Sequence, residues 1–474
     1  MKEYRILQGG MGAGVSDWRL ARAVGESGEI GVVSGTAMDV ILARRLQNGD
    51  KDGQMRKALA AFPAREIAER IIKTYFIEGG KAENAPYKQI EMYTMTPSKE
   101  LQELTVAANF CEVFLAKEGH SNPIGINLME KVILPNLASI YGAMLAGVDY
   151  IVMGAGIPRE IPAVLDSYAT GEDASLRLSV AGAEKDEEYK ITFSPREIMG
   201  EYLTELKRPK FYAIVSSNIL ATTMVKKTKP AVDGLVIEHS SAGGHNAPPR
   251  GGMELDAKGE PIYTDKDEVE LDKVKSLGVP FWLGGSWGEP GKLKAAIAAG
   301  AQGIQVGTIF AFCKESGFVD SIKKAIIERI PEVFTDPKAS PTGFPFKVVS
   351  LHDTLSELET YLKRPRICNL GYLRSLYKKA DGTIGYRCAA EPEDAYVSKG
   401  GLREETEGRK CLCNALVANI GLPTVYKNGY IEQYLVTAGE TLKKVREFIK
   451  DGKESISAAE IIEILLHDTA PGKA

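Results

Sequence analysis

An α/β fold, a (β/α)₈ TIM barrel with insertions and a cysteine-containing C-terminal subdomain, is what this sequence predicts, and three observations predict it. Eight short apolar runs recur between Arg5 and Val306. Stretches of helical period lie between most of them, as in parallel strands joined by crossover helices. Most runs end in Gly, Ser or Asn, and such barrels build their sites at the C-terminal ends of the strands.

The first run, Arg5 to Gln8, stops at Gly9, Gly10 and Gly12, with Ser16 and Asp17 as caps for a helix DWRLARAVGESG. Ile30 to Ser34 is the second strand. Residues 36–120 form a long segment with helical periodicity in RKALAAFPAREIAERIIKTYF and KELQELTVAANFCEVFLAKEG. Strands at Pro123 to Leu128 and Asp149 to Gly154 flank helical LPNLASIYGAMLAG. Within an insertion at about 170–208, LRLSVAGAEKDEEYKITF alternates like a polar hairpin. The remaining strands are Lys210 to Ser216, Leu235 to Glu238, Pro280 to Leu283 and Ile304 to Val306, with a charged insertion at about 246–275. A doubly wound sheet would instead need a G-x-G-x-x-G turn and an acidic residue about 20 positions on. QGGMGAG approaches that glycine count, but one glycine-rich turn is a weak signal beside polar or glycine residues recurring at all the strand ends.

The barrel is therefore expected to span 1–317, and the alternation stops from about Phe318. Residues 318–474 read as a subdomain packed on the barrel, ending in an amphipathic helix at AAEIIEILLH. The 59 basic and 63 acidic residues leave a net charge of −4 without a basic block, which argues against nucleic acid or an anionic membrane as partner. The N-terminus lacks a signal-like apolar stretch and no run of 18 apolar residues follows, so a cytoplasmic location is expected.

The chemistry centres on GLVIEHSSAGGHNAPPRGG, Gly234 to Gly252, where an apolar strand gives way to Gly243, Gly244 and His245. Paired glycines let a ligand approach the backbone, and the imidazole beside them titrates near neutrality. Gly284, Gly285 and Ser286 after the seventh strand and Gly307 with Thr308 after the eighth form a candidate phosphate site, since N–H groups at such turns hold phosphate without a basic side chain. Of Glu238 and His239, strand alternation allows only one to face inward.

QGGMG near the N-terminus, GINL at the third strand, SAGGH, LGGS, and QVGT followed by Glu315 and Ser316 resemble the FMN-dependent nitronate monooxygenases (2-nitropropane dioxygenases), a family that includes flavin-dependent enoyl-acyl-carrier-protein reductases. The resemblance covers roughly Tyr4 to Phe318. It implies Gly9, Gly10 and Met11 along the flavin, Asn127 bonded to flavin or substrate, and Gly243 and Gly244 giving access to the ring. It further implies Gly284, Gly285, Ser286, Gly307 and Thr308 at the FMN phosphate, and His245 as the acid/base group. The sequence departs from the family where His239, Ser240 and Ser241 precede AGGH, where QGGM replaces QGPM, and at Ile309. These positions bear on substrate more than on cofactor.

Cys368, Cys388, Cys411 and Cys413 suggest a site for Zn²⁺ or a [4Fe–4S] cluster, although their spacing matches neither common zinc nor ferredoxin runs; separate core cysteines are the alternative. Cys111 and Cys313 read as core, as do Trp282 and Trp287, and Arg250 reads as a solvated loop arginine, with a hold on an anionic substrate as the alternative.

The leading expectation is an FMN-dependent oxidoreductase acting on a small molecule, with an enoyl-thioester reductase, fed by NAD(P)H and served by an acyl carrier protein, as its rival. A flavin-free sugar-phosphate isomerase or aldolase and a non-catalytic flavin redox subunit are the readings of other classes. A homo-oligomer is compatible with all of them.

Overall fold

The computed structural model describes residues 3–449 and 453–467. Eight parallel strands form one sheet: β1 (Ile6–Gln8), β2 (Gly31–Ser34), β3 (Ile124–Met129), β4 (Tyr150–Gly154), β5 (Lys210–Val215), β6 (Gly234–Glu238), β7 (Phe281–Gly284) and β8 (Gly303–Val306). Each pairs with its sequence neighbour from β2 to β8, and β8 pairs back onto β1 with Ile6 opposite Ile304. A parallel bridge between Leu7 and Ile30 closes the ring, with Gln8 N–H donating to the Ile30 carbonyl at 3.0 Å. All eight expected strands are present and the barrel is closed.

Strand alternation sorts the side chains into two cores. Leu7, Val32, Val152, Tyr212, Val236 and Trp282 fill the barrel interior. Their neighbours Ile6, Val33, Ile151, Phe211, Leu235 and Leu283 face the surrounding helices. Asp17 caps the first helix, Trp18–Glu26, by accepting from the N–H groups of Arg19 and Leu20. Ser16 has another task, because its hydroxyl bonds the Gly9 carbonyl and the Met11 N–H and so shapes the turn after β1.

The segment 36–120 holds four helices, of which Lys99–Lys117 is almost wholly buried and packs against the helices Trp18–Glu26 and Ile133–Leu145. In the 170–208 segment, Ala174–Leu178 and Tyr189–Phe193 pair antiparallel, with Ala174, Leu176 and Leu178 buried and Ser175 and Arg177 exposed, as the alternation foretold. Between them Val180–Ala181 adds, in parallel, to a C-terminal hairpin of Ser375–Lys378 and Ile384–Arg387.

Regular structure does not stop at Phe318. Asp320–Arg329 is a helix that buries Ile322 and Ile326, an i, i+4 pair the sequence shows plainly. An antiparallel pair, Val333–Asp336 with Phe346–Val349, follows it. Ala458–His467 is helical as expected and packs on Trp18–Glu26. Inside the C-terminal region the Arg364 guanidinium donates twice to the Glu432 carboxylate, at 2.8 Å each, in a fully buried bidentate pair that also takes the Tyr426 hydroxyl. Among the described residues no helix is long and apolar enough to cross a membrane.

Candidate active site

The C-terminal ends of the strands open into a cavity roofed by the C-terminal region. Gly9, Gly10, Met11, Asn127, Gly243, Gly244, His245, Gly285, Ser286, Gly307 and Thr308 all line it. Asn127 lies near the end of β3 and the others in turns after strands, spread over some 300 positions of sequence, and the barrel brings them together at one end of one closed sheet. Gly284 is the exception among the predicted positions. It is still a strand residue, its missing side chain facing Gln305 and Val236, and its carbonyl accepts from the His239 N–H at 3.1 Å.

Several glycines here are demanded by space or by backbone conformation. A Cβ on Gly10 would lie 2.2 Å from Asn127 Cβ, and one on Gly243 would lie 2.8 Å from the backbone of Ala438. Gly244 and Gly285 have φ of +83° and +80°, a region that other residues enter only under strain. Ser286 follows with φ of +55°, which marks the turn after β7 as tightly constrained.

His245 is held from across the chain. It pairs antiparallel with Phe346, whose ring meets the imidazole edge-on at 4.9 Å. Lys347 N–H donates to the Gly244 carbonyl and Asn246 N–H to the Pro345 carbonyl, both at 2.9 Å. His245 Nε2 shares a 2.7 Å hydrogen bond with Ser340 Oγ, which in turn bonds Thr342 Oγ1 at 2.8 Å. Burial, and then the nearby Lys131 ammonium, push the imidazole pKa down to about 3, so the ring is neutral at ordinary pH. Lys131 is pressed over the Phe344 ring, its Nζ has no hydrogen-bond partner, and burial lowers its own pKa to about 7.

The structure decides between Glu238 and His239. Glu238 lines the cavity, on the same side of β6 as Val236, and burial raises its pKa to about 7. His239 points away and bonds Ser241 Oγ at 2.9 Å and Glu268 at 3.0 Å. Glu238 was half legible, since alternation restricted the choice to two residues. Arg250 is exposed, its N–H on Asp267, and it is not part of the cavity wall. Cys111, Cys313 and Trp282 are buried core residues, as read from the sequence.

Sequence reasoning missed the roof. Thr437 Oγ1 accepts from Gly244 N–H at 2.8 Å, and Thr308 Oγ1 accepts from Gly439 N–H at 2.8 Å. Ser340, Phe346, Thr437 and Gly439 lie about 95 to 190 positions from the glycine loops they touch, and nothing in their local pattern announces it.

The four cysteines do converge. Cys388, Cys411 and Ala390 are buried together, with Cys368 and Cys413 packed against them, and Cys413 also reaches the cavity wall. All are free thiols. Among the described residues no group of three or more His, Cys, Asp or Glu side chains is placed to hold a metal ion, so the expected zinc or iron–sulfur site finds no support in the arrangement.

A closed parallel barrel with its cavity at the C-terminal face, walled by glycine turns and one histidine, defines the general class of this protein. Residues 200–335 match the family model described as nitronate monooxygenase. That stretch holds β5 to β8 with the SAGGH, LGGS and QVGT turns, so the resemblance read from the sequence stands, and the chain is related through it to a family of oxidoreductases. Among curated proteins none matches the chain. Similar solved structures include FabK from Thermotoga maritima, at 17% identity over 98% of this chain and 92% of that one, with a TM-score of 0.46. Nitroalkane oxidase from Streptomyces ansochromogenes is similar at 15% identity over 98% and 96%, TM-score 0.46. The enoyl reductase domain of MlnA from Bacillus amyloliquefaciens is similar at 12% identity over 98% and 93%, TM-score 0.47.

Proposed function

We propose that this chain is an FMN-dependent oxidoreductase whose reaction resembles that of the nitronate monooxygenases, with His245 as its acid/base group. The observation that carries the proposal is the convergence of the glycine turns after β1, β6, β7 and β8 with Asn127 and His245 on one cavity. The residues present fit the cofactor: Gly244 has open space where a Cβ would stand, so a flat ring can approach its backbone, and Gly10, which packs on Asn127, keeps that side chain at the cavity wall. Gly285, Ser286, Gly307 and Thr308 would hold the phosphate through backbone N–H groups and hydroxyls. When bound, FMN supplies the two-electron chemistry.

The chain's own groups handle position and protons. Asn127 and Met11 would fix the ring against the β1 and β3 ends. His245, neutral and held by Ser340, is the imidazole placed to exchange a proton with the substrate. Glu238, with its pKa near 7, offers the cavity a carboxyl group that is partly protonated at neutral pH. The roof over the glycine loops restricts water at the reacting centre.

The test is to titrate the full chain with FMN and then to supply alkyl nitronates under oxygen. Stoichiometric flavin binding and oxygen-dependent loss of nitronate support the proposal, with His245→Ala keeping the flavin and losing turnover by about 10² to 10⁴. NAD(P)H oxidation driven by an enoyl thioester, without nitronate turnover, would replace it with the reductase reading. A chain that takes up no FMN would overturn both.

A further inference from the structure

We propose that a second pocket, between the helix Met38–Gln47 and the C-terminal region, binds a small phosphate monoester, a dianion carried on a flat or apolar body. The pocket has a volume of about 410 Å³, within the range of small-molecule sites, and it shares no lining residue with the candidate active site. Its walls come from that helix and from the segments around Lys88, Asn369 and Tyr426.

The first observation lies at its floor. Arg44 is only 5% exposed, yet its guanidinium donates to two neutral oxygens, the Leu422 carbonyl at 2.6 Å and Thr424 Oγ1 at 2.8 Å. The Tyr87 ring lies 4.9 Å away. Arg364, the buried guanidinium elsewhere in the C-terminal region, is matched by the Glu432 carboxylate, whereas Arg44 has no carboxylate partner among the described residues. Burial lowers the Arg44 pKa, as expected of a charge its surroundings do not balance. A buried charge without its counter-charge is costly, so an anion seated beside Arg44 gains an attraction that the fold itself does not use.

The second observation is the sign of the wall. Lys88 and Lys427 stand exposed at the rim, no Asp or Glu lines the pocket, and among the described residues neither lysine forms an ion pair. Three cations facing no carboxylate favour a dianion over a monoanion. A phosphate monoester carries a charge of about −1.5 to −2 near pH 7, and the guanidinium fork matches two of its oxygens. The remaining wall suits the body of such a ligand, since Val40, Ala43, Ile90, Leu370 and Val425 are apolar and Tyr426 is aromatic.

The walls are also fixed before any ligand arrives. Lys88 N–H donates to Gln47 Oε1 at 2.6 Å, the Tyr87 hydroxyl to Asn48 Oδ1 at 3.1 Å, and the Tyr426 hydroxyl to Glu432 Oε2 at 2.6 Å. Little ordering is left for binding to supply.

The experiment titrates the full chain, saturated with FMN so that the glycine turns are filled, with phenyl phosphate and in parallel with benzoate and inorganic phosphate, read by calorimetry. One equivalent of phenyl phosphate should bind, more tightly than either of the others. Arg44→Met should weaken it about tenfold or more, and Lys427→Ala, at an exposed position, about two- to fivefold. If the chain takes up no FMN, the same titration without it still tests the site, because neither substitution touches the glycine turns. Absence of binding, benzoate or inorganic phosphate bound as tightly as phenyl phosphate, or an unchanged affinity in Arg44→Met would each overturn the proposal. Should the methionine variant fail to fold, an unchanged affinity in Lys427→Ala overturns it instead.

Discussion

Ser340 Oγ stands 2.7 Å from His245 Nε2, and the two residues lie 95 positions apart in the chain. One follows β6 of the barrel and the other lies in the C-terminal region, so the imidazole is oriented by a segment that the barrel alone does not contain. The hydrogen bond sets which ring nitrogen carries the proton: when Nε2–H donates to Ser340, Nδ1 is left with the free lone pair that an acid/base role requires. Ser340→Ala should therefore lower turnover by about tenfold, corresponding to roughly 1–2 kcal/mol for an unpaired buried nitrogen. Ser340→Thr should restore much of it, provided the extra methyl is accommodated. Equal activity in the alanine variant, measured as kcat with bound flavin verified, would remove the orienting role.

Lys131 influences the same imidazole through its charge. Lys131→Met removes a like charge and should raise the His245 pKa from its depressed value toward 6.5, while burial keeps it below that. Proton NMR titration of the imidazole in the two proteins checks the direction.

The depressed His245 pKa also predicts a pH dependence of stability. The folded ring resists protonation down to about 3, whereas the unfolded ring protonates near 6.5, so the neutral ring's contribution is intact above 6.5 and is lost as pH falls toward 3. His245→Asn lacks this titration. Relative to that variant, the unmodified chain should lose about 2 kcal/mol between pH 7 and pH 5, read from urea unfolding at each pH. A constant difference across that range would contradict it.

Gly10→Ala tests the flavin assignment. Its Cβ would lie 2.2 Å from Asn127 Cβ, so Asn127 must move, at a cost typically of about 1–3 kcal/mol. FMN affinity should fall about 5- to 100-fold, measured by flavin fluorescence quenching, while the far-UV spectrum is unchanged.

Arg364 and Glu432 form a fully buried ion pair that ties two stretches of the C-terminal region. Glu432→Gln leaves the guanidinium without its counter-charge and should destabilise the protein by about 3–5 kcal/mol. Because the roof over the glycine loops belongs to this region, thermal denaturation and flavin release should shift together.

The barrel was legible because its signal is local. Most strands are apolar runs ended by Gly, Ser or Asn, and the strand ends and the turns after them carry Gly10, Asn127, His245, Gly285 and Thr308, which meet in the cavity. The helix Asp320–Arg329, with Ile322 and Ile326 at helical spacing, lies beyond the last of the eight strands, where the strand and helix alternation no longer marks it. Glu238 was narrowed to one of two positions by strand alternation, and the cavity wall then chose it over His239.

What the sequence determined by itself was the order of strands and the turns that end them, because period, glycine and capping act within a few residues along the chain. Only the tertiary structure decided that Ser340, Phe346, Thr437 and Gly439 close over those turns, that Lys131 bears on His245, and that four scattered cysteines share one buried group. Those relations rest on packing between segments a hundred or more positions apart or on burial, and no local pattern encodes how such segments meet.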